Sequence, residues 1–271
     1  HPSHRGSNVP PFARVLEDTA SGLFRSTRET AVSPRPVNTS AARTSAAPHA
    51  RASSAGRTGT DRAVRALNVL VAAVGLVVTA PLFLLIAVLV KRSSAGPVFY
   101  TQPRVGLDRR TGPATPEQLS RRRWDAGGRI FKIYKFRTMS ADSDRAGQVW
   151  ASEQDPRITR VGRILRKYRL DELPQLWNVL RGDMNIVGPR PEQPEIFQEL
   201  RREVSRYAHR QRVLPGITGW AQVNHSYDQS VDDVRTKVRY DLEYIDRRSV
   251  AEDLKIMART LPVMIGRKGA I

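Results

Sequence analysis

The pattern of apolar and polar positions divides the chain into three parts. Residues 1–60 consist mainly of small and polar residue types with few large apolar side chains. Such a segment cannot bury enough surface to offset its conformational entropy, so we expect a disordered leader. Residues 61–92 contain a run of about 25 predominantly apolar residues, which is long enough for a membrane helix. Residues 93–271 mix both types of position, and we expect them to form a folded domain outside the bilayer.

The membrane segment carries a proline near its middle and positive charges at both ends. Pro81 removes one helical hydrogen bond and clashes with the preceding turn, so we expect a kink near it. Arg62 and Arg65 precede the apolar run, and Lys91 and Arg92 follow it. Positively charged residues favour the cytoplasmic side of a membrane. A single span would place only one of the two charged ends there, whereas a re-entrant hairpin would place both there. The pattern leaves both arrangements open, and either one places the remaining chain at the cytoplasmic face.

Two short strands are predicted after the membrane segment. The aromatic and β-branched residues of 97–102 indicate a strand, which is followed by a turn at 104–106. The segment 111–128 contains Gly, Pro and a run of arginines and is typical of an exposed loop. Residues 129–139 alternate imperfectly between apolar and basic side chains and predict a second strand.

A helix pattern follows residue 170. Apolar residues recur there at spacings of three and four, at Leu173, Leu176, Trp177 and Leu180. This spacing predicts a helix that begins at Asp171, its N-cap, and ends before Gly182, with Pro174 tolerated in the first turn. The amides and the positive dipole end of such a helix would stabilise ionised carboxylates and attract a phosphate.

Further elements complete the expected α+β fold, in which helices predominate beside a small sheet. Residues 188–191 predict a rigid loop that presents Arg190 between two prolines, and residues 214–220 predict a Gly-rich turn. Another helix is indicated by apolar residues at spacings of three and four: Val234, Val238, Leu242 and Ile245. The C-terminal segment 253–268 has apolar residues broken by cations and is compatible with a helix lying in the membrane interface.

The composition narrows the possible chemistry. The formal charge of +19 indicates an anionic partner, such as nucleic acid, a phospholipid surface or a phosphorylated small molecule. A GC-rich genome would produce the same arginine excess without functional meaning. The chain has no cysteine, which excludes disulfides and thiol chemistry, and its five histidines show no metal-ligand spacing, so zinc is not expected.

An acidic pair interrupts this basic composition. Asp171 and Glu172 are adjacent, and arginines flank them on both sides. Acids are common in the first turn of a helix, so the pair has a purely structural interpretation. The functional interpretation is that one carboxylate attacks phosphorus while the other helps to hold Mg²⁺, and the cations stabilise the transferring phosphoryl group.

Other polar residues also allow two interpretations. Lys135 and Arg137 fit either the solvated edge of a strand or a phosphate contact. Arg190 fits an ordinary loop cation, but the flanking prolines would preorganise its guanidinium to hold an anion. Trp220 is typical of a core aromatic residue and less often of a platform for a nucleobase.

Three motifs taken together resemble one protein family. They are KFRTM at 135–139, LDELPQLWNVLRGDMNIVGPRP at 170–191 and PGITGWAQVN at 215–224. They resemble the bacterial sugar transferases, the monotopic polyprenyl-phosphate phosphoglycosyl transferases that start exopolysaccharide and glycoconjugate assembly. The resemblance extends from about residue 62 to the C-terminus. Larger members carry several N-terminal membrane spans, so the chain resembles the minimal catalytic form.

The resemblance implies a reaction and a set of roles. A UDP-sugar would donate its phosphosugar to polyprenyl (undecaprenyl) phosphate, with Asp171 as the nucleophile, Glu172 as the second acid, and both residues as ligands of Mg²⁺. The implied phosphate contacts are Lys135, Arg137, Arg169 and Arg190, and the weaker candidates for nucleotide binding are Trp220 and Gln222. The resemblance also favours the re-entrant hairpin, with 93–271 as the catalytic domain at the cytoplasmic face of the bacterial inner membrane, in contact with its lipids.

Two alternatives accompany this interpretation. A membrane-anchored nucleic-acid-binding protein would use the basic surface but has no need of acids beside the arginines, and the resemblance implies no nucleic-acid partner. A catalytically inactive scaffold of the same fold would not need intact acid and arginine motifs. No residue of the sequence indicates which sugar is transferred. For the oligomeric state, we expect a homodimer.

Overall fold

A long helix begins the part of the chain that the computed structural model describes, namely residues 54–109, 127–140, 155–225 and 230–265. This helix, α1, comprises Ser54–Ser93 and therefore starts inside the segment that composition assigned to the leader. Pro81 lies in its interior, with helical structure on both sides. The rest of the expected leader, and residues 111–126 of the predicted loop, lie outside the described residues.

Helix α1 exposes most of its apolar side chains. It is long and apolar enough to cross a membrane, and only 11% of its most apolar stretch is buried inside the protein. Large apolar residues lie at the surface along its length: Val69, Leu70, Val74, Val77, Val78, Leu84, Leu85, Val88 and Leu89. The other face is buried against the rest of the chain at Val64, Ala72 and Val90. An exposed apolar surface of this extent is typical of an interaction site rather than of an ordinary soluble surface.

The two predicted strands form an antiparallel hairpin. Strand β1, Phe99–Val105, pairs with strand β2, Ile130–Phe136, in a register that places Phe99 opposite Phe136. The turn predicted at 104–106 is wrong for its first two residues, because both still pair with β2. The hairpin is longer than its apolar pattern indicated because backbone hydrogen bonds continue the ladder through residues of either polarity.

Helix α2, Arg160–Lys167, precedes the acidic pair and was not expected from the sequence. Thr159 caps it by accepting a hydrogen bond from Gly162 N at 2.9 Å. The helix lies directly against the backbone at Thr138, since a Cβ atom on Gly162 would meet Thr138 O at 2.0 Å. With four cations among eight residues, its apolar pattern is too short to predict a helix.

The helix predicted to begin at Asp171 is divided into two elements. A 3-10 turn, Leu170–Glu172, contains the acidic pair, and helix α3, Gln175–Arg181, follows it. Asp171 is thus not an N-cap, because Arg169, with a φ of 54°, turns the chain sharply just before the pair. The predicted end is confirmed, since Gly182 adopts the left-handed conformation that commonly terminates helices.

A short parallel sheet joins a segment for which no strand was predicted and a segment that was predicted to be a turn. Strand β3, Asn185–Val187, pairs with strand β4, Gly216–Thr218. The turn predicted at 214–220 is therefore partly wrong, because a strand occupies its centre. Strands of three residues are too short to show alternation, and their partners lie far apart in sequence.

Helices form the remainder of the described domain. After β3 come α4, Pro194–Glu203, and a 3-10 segment, Tyr207–Arg212; after β4 come α5, Trp220–Asn224, α6, Val231–Arg247, and α7, Val250–Ile265. The predicted face of α6 is confirmed by the burial of Val234, Val238, Leu242 and Ile245. The helix predicted near the C-terminus is also confirmed as α7, which packs against α1 and exposes Leu254 and Leu261.

One apolar cluster connects α1 to the domain that carries the acidic pair. Ile86 and Val90 of α1 are buried together with Phe136 and Leu165. The ring of Phe136 also lies 5.1 Å from that of Phe83, centroid to centroid. The described chain is thus an α+β structure in which helices predominate, as expected, and its apolar helix forms part of the core.

Candidate active site

Asp171 and Glu172 are nearly enclosed by protein. They are 8% and 7% exposed, respectively. Carboxylates are rarely buried at this level unless cations compensate their charge. The 3-10 turn places the pair beside strand β2 and beside the loop at 188–191, and each of these elements supplies a cation.

Two cations hold Glu172. Lys135 Nζ donates a hydrogen bond to Oε1 of Glu172 at 2.9 Å, and Arg190 Nη2 donates to the same oxygen at 3.0 Å. Burial opposes ionisation of Glu172, but the charges of Arg190 and Lys135 outweigh burial and hold its pKa well below the ordinary range. Glu172 is therefore ionised at neutral pH, and its Oε2 accepts no hydrogen bond from the described residues.

Asp171 has a different environment. Among the described residues, its side chain takes part in no hydrogen bond and no ion pair. Burial raises the pKa of Asp171, and the charge of Lys135 opposes that increase. The expectation that a helix terminus stabilises its charge is wrong, because no α-helix begins at this residue. The oxygens of Asp171 keep their lone pairs available for a metal ion or for an electrophile.

Contacts with two other elements set the position of Arg190. Gly188 N donates a hydrogen bond to Thr218 O at 2.9 Å, which joins the 188–191 loop to β4. The carbonyl oxygen of Arg190 accepts a hydrogen bond from Arg210 Nη2 at 3.0 Å. The prolines that flank Arg190 restrict its backbone further. The expectation of a rigid loop that presents this guanidinium is consistent with these contacts.

A buried ion pair in turn holds Arg210. Its Nε donates to Asp241 Oδ2 at 2.6 Å, and its Nη1 donates to the Tyr207 hydroxyl at 2.7 Å. The Arg210 and Asp241 side chains are 3% and 2% exposed. Sequence reasoning missed this pair because 31 residues separate its members and no local pattern connects them. This buried network of hydrogen bonds holds Arg210, which in turn holds the backbone of the loop at Arg190.

Arg137 is engaged at the end of α1. Its Nη1 donates to Ala95 O at 2.6 Å and its Nη2 donates to Ser94 O at 2.7 Å, and the residue is 7% exposed. Ser94 and Ala95 directly follow α1, which ends at Ser93. Backbone carbonyl oxygens without a partner in a helix or sheet attract a cation. The Arg137 guanidinium thus binds backbone carbonyls, and the phosphate contact expected for it stays a prediction.

Two more arginines act on the acidic pair. The charge of Arg169 also favours the ionised form of Glu172, although its effect is smaller than the effects of Arg190 and Lys135. Arg166 was not among the predicted site residues, although its Nε donates to Thr138 Oγ1 at 2.9 Å and its charge opposes the effect of burial on the pKa of Asp171. The available signal for Arg166 was the group of cations upstream of the pair.

Trp220 and Gln222 lie on α5, and no hydrogen bond or ring contact among the described residues joins them to the acidic pair. Lys255 Nζ lies 5.2 Å and Arg259 Cζ lies 5.0 Å from the centroid of the Trp220 ring. Gln222 Nε2 donates to Ile217 O at 3.0 Å. Cations of α7 therefore cover part of the Trp220 ring on which a nucleobase would stack. Nucleotide binding by these two residues stays a prediction.

The acidic pair suits a hard divalent cation that also binds substrate phosphates. Among the described residues, no group of three or more His, Cys, Asp or Glu side chains could enclose a metal ion. Asp171 offers two oxygens and Glu172 offers Oε2. Because Mg²⁺ is commonly bound by one or two carboxylates together with waters and substrate phosphates, this donor set fits it.

Comparison with known proteins identifies a family and several relatives of this chain. Residues 60–267 match the family model described as bacterial sugar transferase. The chain is 41% identical over 206 residues to a UDP-N-acetylgalactosamine-undecaprenyl-phosphate N-acetylgalactosaminephosphotransferase of Aeromonas hydrophila. That match covers 76% of this chain and 44% of the relative, so the chain spans less than half of that protein's length.

Two other relatives are covered over more of their length. The chain is 39% identical over 211 residues to a UDP-glucose:undecaprenyl-phosphate glucose-1-phosphate transferase of Caulobacter vibrioides, with 77% of this chain and 72% of the relative covered. It is 36% identical over 221 residues to the exopolysaccharide production protein ExoY of Sinorhizobium fredii, with 76% of this chain and 87% of the relative covered.

Proposed function

The chain belongs to the bacterial sugar transferase family, and we propose that it transfers a phosphosugar from a UDP-sugar to polyprenyl (undecaprenyl) phosphate and releases UMP. This would be the first membrane step of polysaccharide or glycoconjugate synthesis. The names of the relatives include UDP-sugar donors and an undecaprenyl-phosphate acceptor. The observation that carries the proposal is a buried Asp171 without hydrogen bonds among the described residues, next to a Glu172 that two cations hold.

In the proposed mechanism Asp171 is the nucleophile. One of its carboxylate oxygens attacks the β-phosphorus of the UDP-sugar, and the bond from that phosphorus to the oxygen bridging to the α-phosphate breaks. UMP leaves with the electron pair of that bond, and the phosphosugar stays on Asp171 as an acyl phosphate. An oxygen of polyprenyl phosphate then attacks the same phosphorus, the bond to Asp171 breaks, and the polyprenyl diphosphate sugar is released.

Lys135 and Arg190 are the proposed electrostatic partners of the transferring group. Both donate to Oε1 of Glu172, and their side chains are 21% and 36% exposed, so a substrate phosphate can reach them. An ammonium carries three donors and a guanidinium carries five, which leaves donors for phosphate oxygens. Preorganised donors of this kind stabilise charge that develops in the transition state. Arg169 is proposed as a further phosphate contact.

Asp171 and Glu172 together would hold Mg²⁺, which when bound neutralises the charge of the diphosphate. Glu172 is the ligand that is ionised throughout, because Lys135 and Arg190 stabilise its charge. Asp171 can act both as ligand and as nucleophile, since both of its oxygens are without hydrogen bonds among the described residues. One oxygen would bind the ion while the other attacks phosphorus.

We further propose that the protein lies at the cytoplasmic face of the bacterial inner membrane with both ends of α1 on that side. Near its start, Arg65 Nη2 donates to Val179 O at 2.6 Å; at its end, the carbonyls of Ser94 and Ala95 bind Arg137. About 38 Å of helix separates residues 65 and 90 at 1.5 Å per residue, which is more than the roughly 30 Å of a bilayer core.

These contacts support a re-entrant helix over a perpendicular span. Polar groups of one folded domain contact both ends of α1, and a perpendicular span would carry one of these ends across the bilayer. A bend at Pro81 allows the apolar middle of α1 to enter the lipid and return. The acceptor's phosphate is confined to the headgroup region, so this placement brings it within reach of Asp171.

The experiment that tests the proposal measures release of UMP. Purified protein in lipid nanodiscs receives Mg²⁺, undecaprenyl phosphate and, one at a time, the UDP derivatives of glucose, galactose and their N-acetylated forms. We expect one donor to give UMP, and we expect Asp171→Asn to abolish the release because an amide is not a competent nucleophile. Asp232→Asn, on the exposed start of α6, is the matched control and is expected to keep full activity.

A second measurement tests the covalent step directly. Donor without acceptor is expected to add one phosphosugar to the peptide that contains Asp171, as detected by mass spectrometry of rapidly quenched protein. Normal turnover by the Asp171→Asn variant, or a phosphosugar found on another residue, contradicts the assignment of the nucleophile. Release of UMP by none of the donors contradicts the proposed function itself.

A further inference from the structure

Arg137 connects the acidic site to the membrane helix in a way that the proposed chemistry does not use. Its guanidinium binds the carbonyl oxygens of Ser94 and Ala95, and a third and longer contact of 3.4 Å reaches Val90 O. Its backbone N also donates to Val98 O at 2.9 Å. The side chain of Arg137 thus binds the last turn of α1 and the two residues that follow it, while its backbone binds the start of the segment that leads into β1.

Three consecutive residues of the KFRTM motif link this anchor to the acidic pair. Lys135 donates to Glu172, Phe136 is buried in the apolar cluster that contains Ile86 of α1, and Arg137 binds the end of α1. Only one residue separates the side chain that contacts Glu172 from the side chain that contacts α1. Because Phe136 is 1% exposed and closely packed, this link is rigid.

The other end of α1 has a reciprocal contact. Arg65 donates to the carbonyl oxygens of Val179, Leu180 and Met184, where α3 ends. Helix α3 follows the turn that contains the acidic pair, so this contact also leads to the site. An arginine of α1 therefore caps a helix of the catalytic domain, while an arginine of the catalytic domain caps α1.

We infer that Arg137 is a positioning residue for the acceptor, which sets the height of Asp171 above the membrane by tying strand β2 to the end of α1. The inference rests on the proposed function and extends it to one half of the reaction. A UDP-sugar arrives from solution and can reach Asp171 at any height. The phosphate of the lipid acceptor is confined to the headgroup region, so only its attack depends on that height.

The two half-reactions allow a direct test. Exchange of labelled UMP into UDP-sugar without acceptor reports attack by Asp171, and formation of polyprenyl diphosphate sugar in nanodiscs reports the complete reaction. We expect Arg137→Lys, which keeps the charge but loses the planar fork, to retain most of the exchange. Transfer to the lipid is expected to fall about 10- to 100-fold, the effect of a displacement on the order of 1 Å.

Arg92→Gln is the matched control. Arg92 lies in the last turn of α1, is exposed, and has no hydrogen bond or ion pair with other described residues. Its substitution removes a positive charge from the same helix end without removing a carbonyl contact. We expect both half-reactions to persist in Arg92→Gln, which would show that the loss in Arg137→Lys does not reflect weaker attraction to anionic lipid.

A depth measurement makes the inference independent of activity. The chain has no cysteine, so Arg163→Cys, at an exposed position of α2, gives a single labelling site near the acidic pair. Quenching of a fluorophore there by lipids that carry quenchers at known depths is expected to change when Arg137→Lys is added and to stay constant when Arg92→Gln is added.

Several outcomes would overturn the inference. Equal losses of UMP exchange and of lipid transfer in a folded Arg137→Lys protein would show a general structural role. Unchanged transfer, or an unchanged label depth, would show that the contact does not set the height of the site. A lack of UMP exchange in the unsubstituted protein would instead count against the proposed function, so the two failures can be told apart.

Discussion

Arg190 Nη2 lies 3.0 Å from Glu172 Oε1, although 18 residues separate the two in the chain. Lys135 binds the same oxygen from another element. This convergence leaves Oε2 of Glu172, together with both oxygens of Asp171, without hydrogen bonds among the described residues. The site is thus asymmetric: one acid is held by cations, and the adjacent acid is buried and unpaired within this part of the chain.

The asymmetry predicts a large effect of Arg190 on activity. Arg190→Ala is expected to lower UMP release about 10²- to 10³-fold, as is typical when one electrostatic donor is removed from a transition state. Arg190→Lys is expected to recover only part of this loss, because an ammonium lacks the planar fork. Arg202→Ala, at an exposed position of α4, is the control and should leave the rate unchanged. Full activity of Arg190→Ala would exclude Arg190 from the site.

Gly162 is predicted to be essential for packing beside the site. A Cβ atom there would meet Thr138 O at 2.0 Å, and this backbone cannot move without displacing Arg137. Gly162→Ala is expected to destabilise the protein by about 1–3 kcal/mol, measured by thermal unfolding in detergent. Gly59→Ala on α1 is the matched substitution: nothing lies within 4 Å of its Cβ, so we expect no loss and a gain of up to about 1 kcal/mol from helix propensity.

The buried pair Arg210 and Asp241 predicts strong coupling between two substitutions. Arg210→Met leaves the Asp241 carboxylate buried without its cation and is expected to cost about 3–5 kcal/mol of unfolding free energy. Adding Asp241→Leu removes that unpaired charge, so the double variant should regain much of the stability. Additive losses in a double-mutant cycle would show that the pair is not coupled. Even the stable double variant should lose activity, since Arg210 also holds the Arg190 carbonyl.

The environment of Glu192 predicts that the folded protein loses stability in acid. Burial opposes its ionisation, but the charges of Lys237, Arg210 and Arg104 outweigh burial and lower its pKa from 4.5 to about 2. A pKa lower in the folded than in the unfolded state contributes stability that is present above pH 4.5 and is lost as the pH falls towards 2.

Glu192→Gln measures this contribution. We expect the variant to be less stable than the unsubstituted protein at neutral pH and the difference to shrink as the pH falls from about 5 to about 3, as measured by thermal unfolding. Comparing the two proteins at each pH cancels the titration of other carboxylates. A difference that stays constant over this range would show that Glu192 is not the group that titrates.

Individual residues show how far the sequence could predict the site. Asp171, Glu172, Lys135 and Arg190 were named as site residues through the family that their motifs resemble, and the structure brings all four together. Arg137 was named in the same way, and its guanidinium binds the carbonyls of Ser94 and Ala95, which directly follow α1; no local pattern indicates that these segments lie side by side. Arg166 was missed because its relation to Asp171 depends on how α2 packs.

The elements show the same distinction. The apolar run of α1 and the spacing on α6 are long periodic signals, and both helices were predicted. The division before α3 was not predicted, because it depends on the left-handed conformation of Arg169, which a residue of this type seldom adopts. Strands β3 and β4 are too short to have a pattern, and their pairing is a long-range event.

The sequence alone determined which groups the chain has available: a long apolar helix, two adjacent acids, and arginines on either side of them. These properties depend on residue type and local order, which can be read directly. Tertiary structure alone decided which acid is paired, which arginines serve the site, and how the site is tied to the membrane helix. Those outcomes depend on distances of a few ångströms between segments that are far apart in the chain. Burial strengthens each charge interaction at these distances, and the order of residues along the chain does not reveal them.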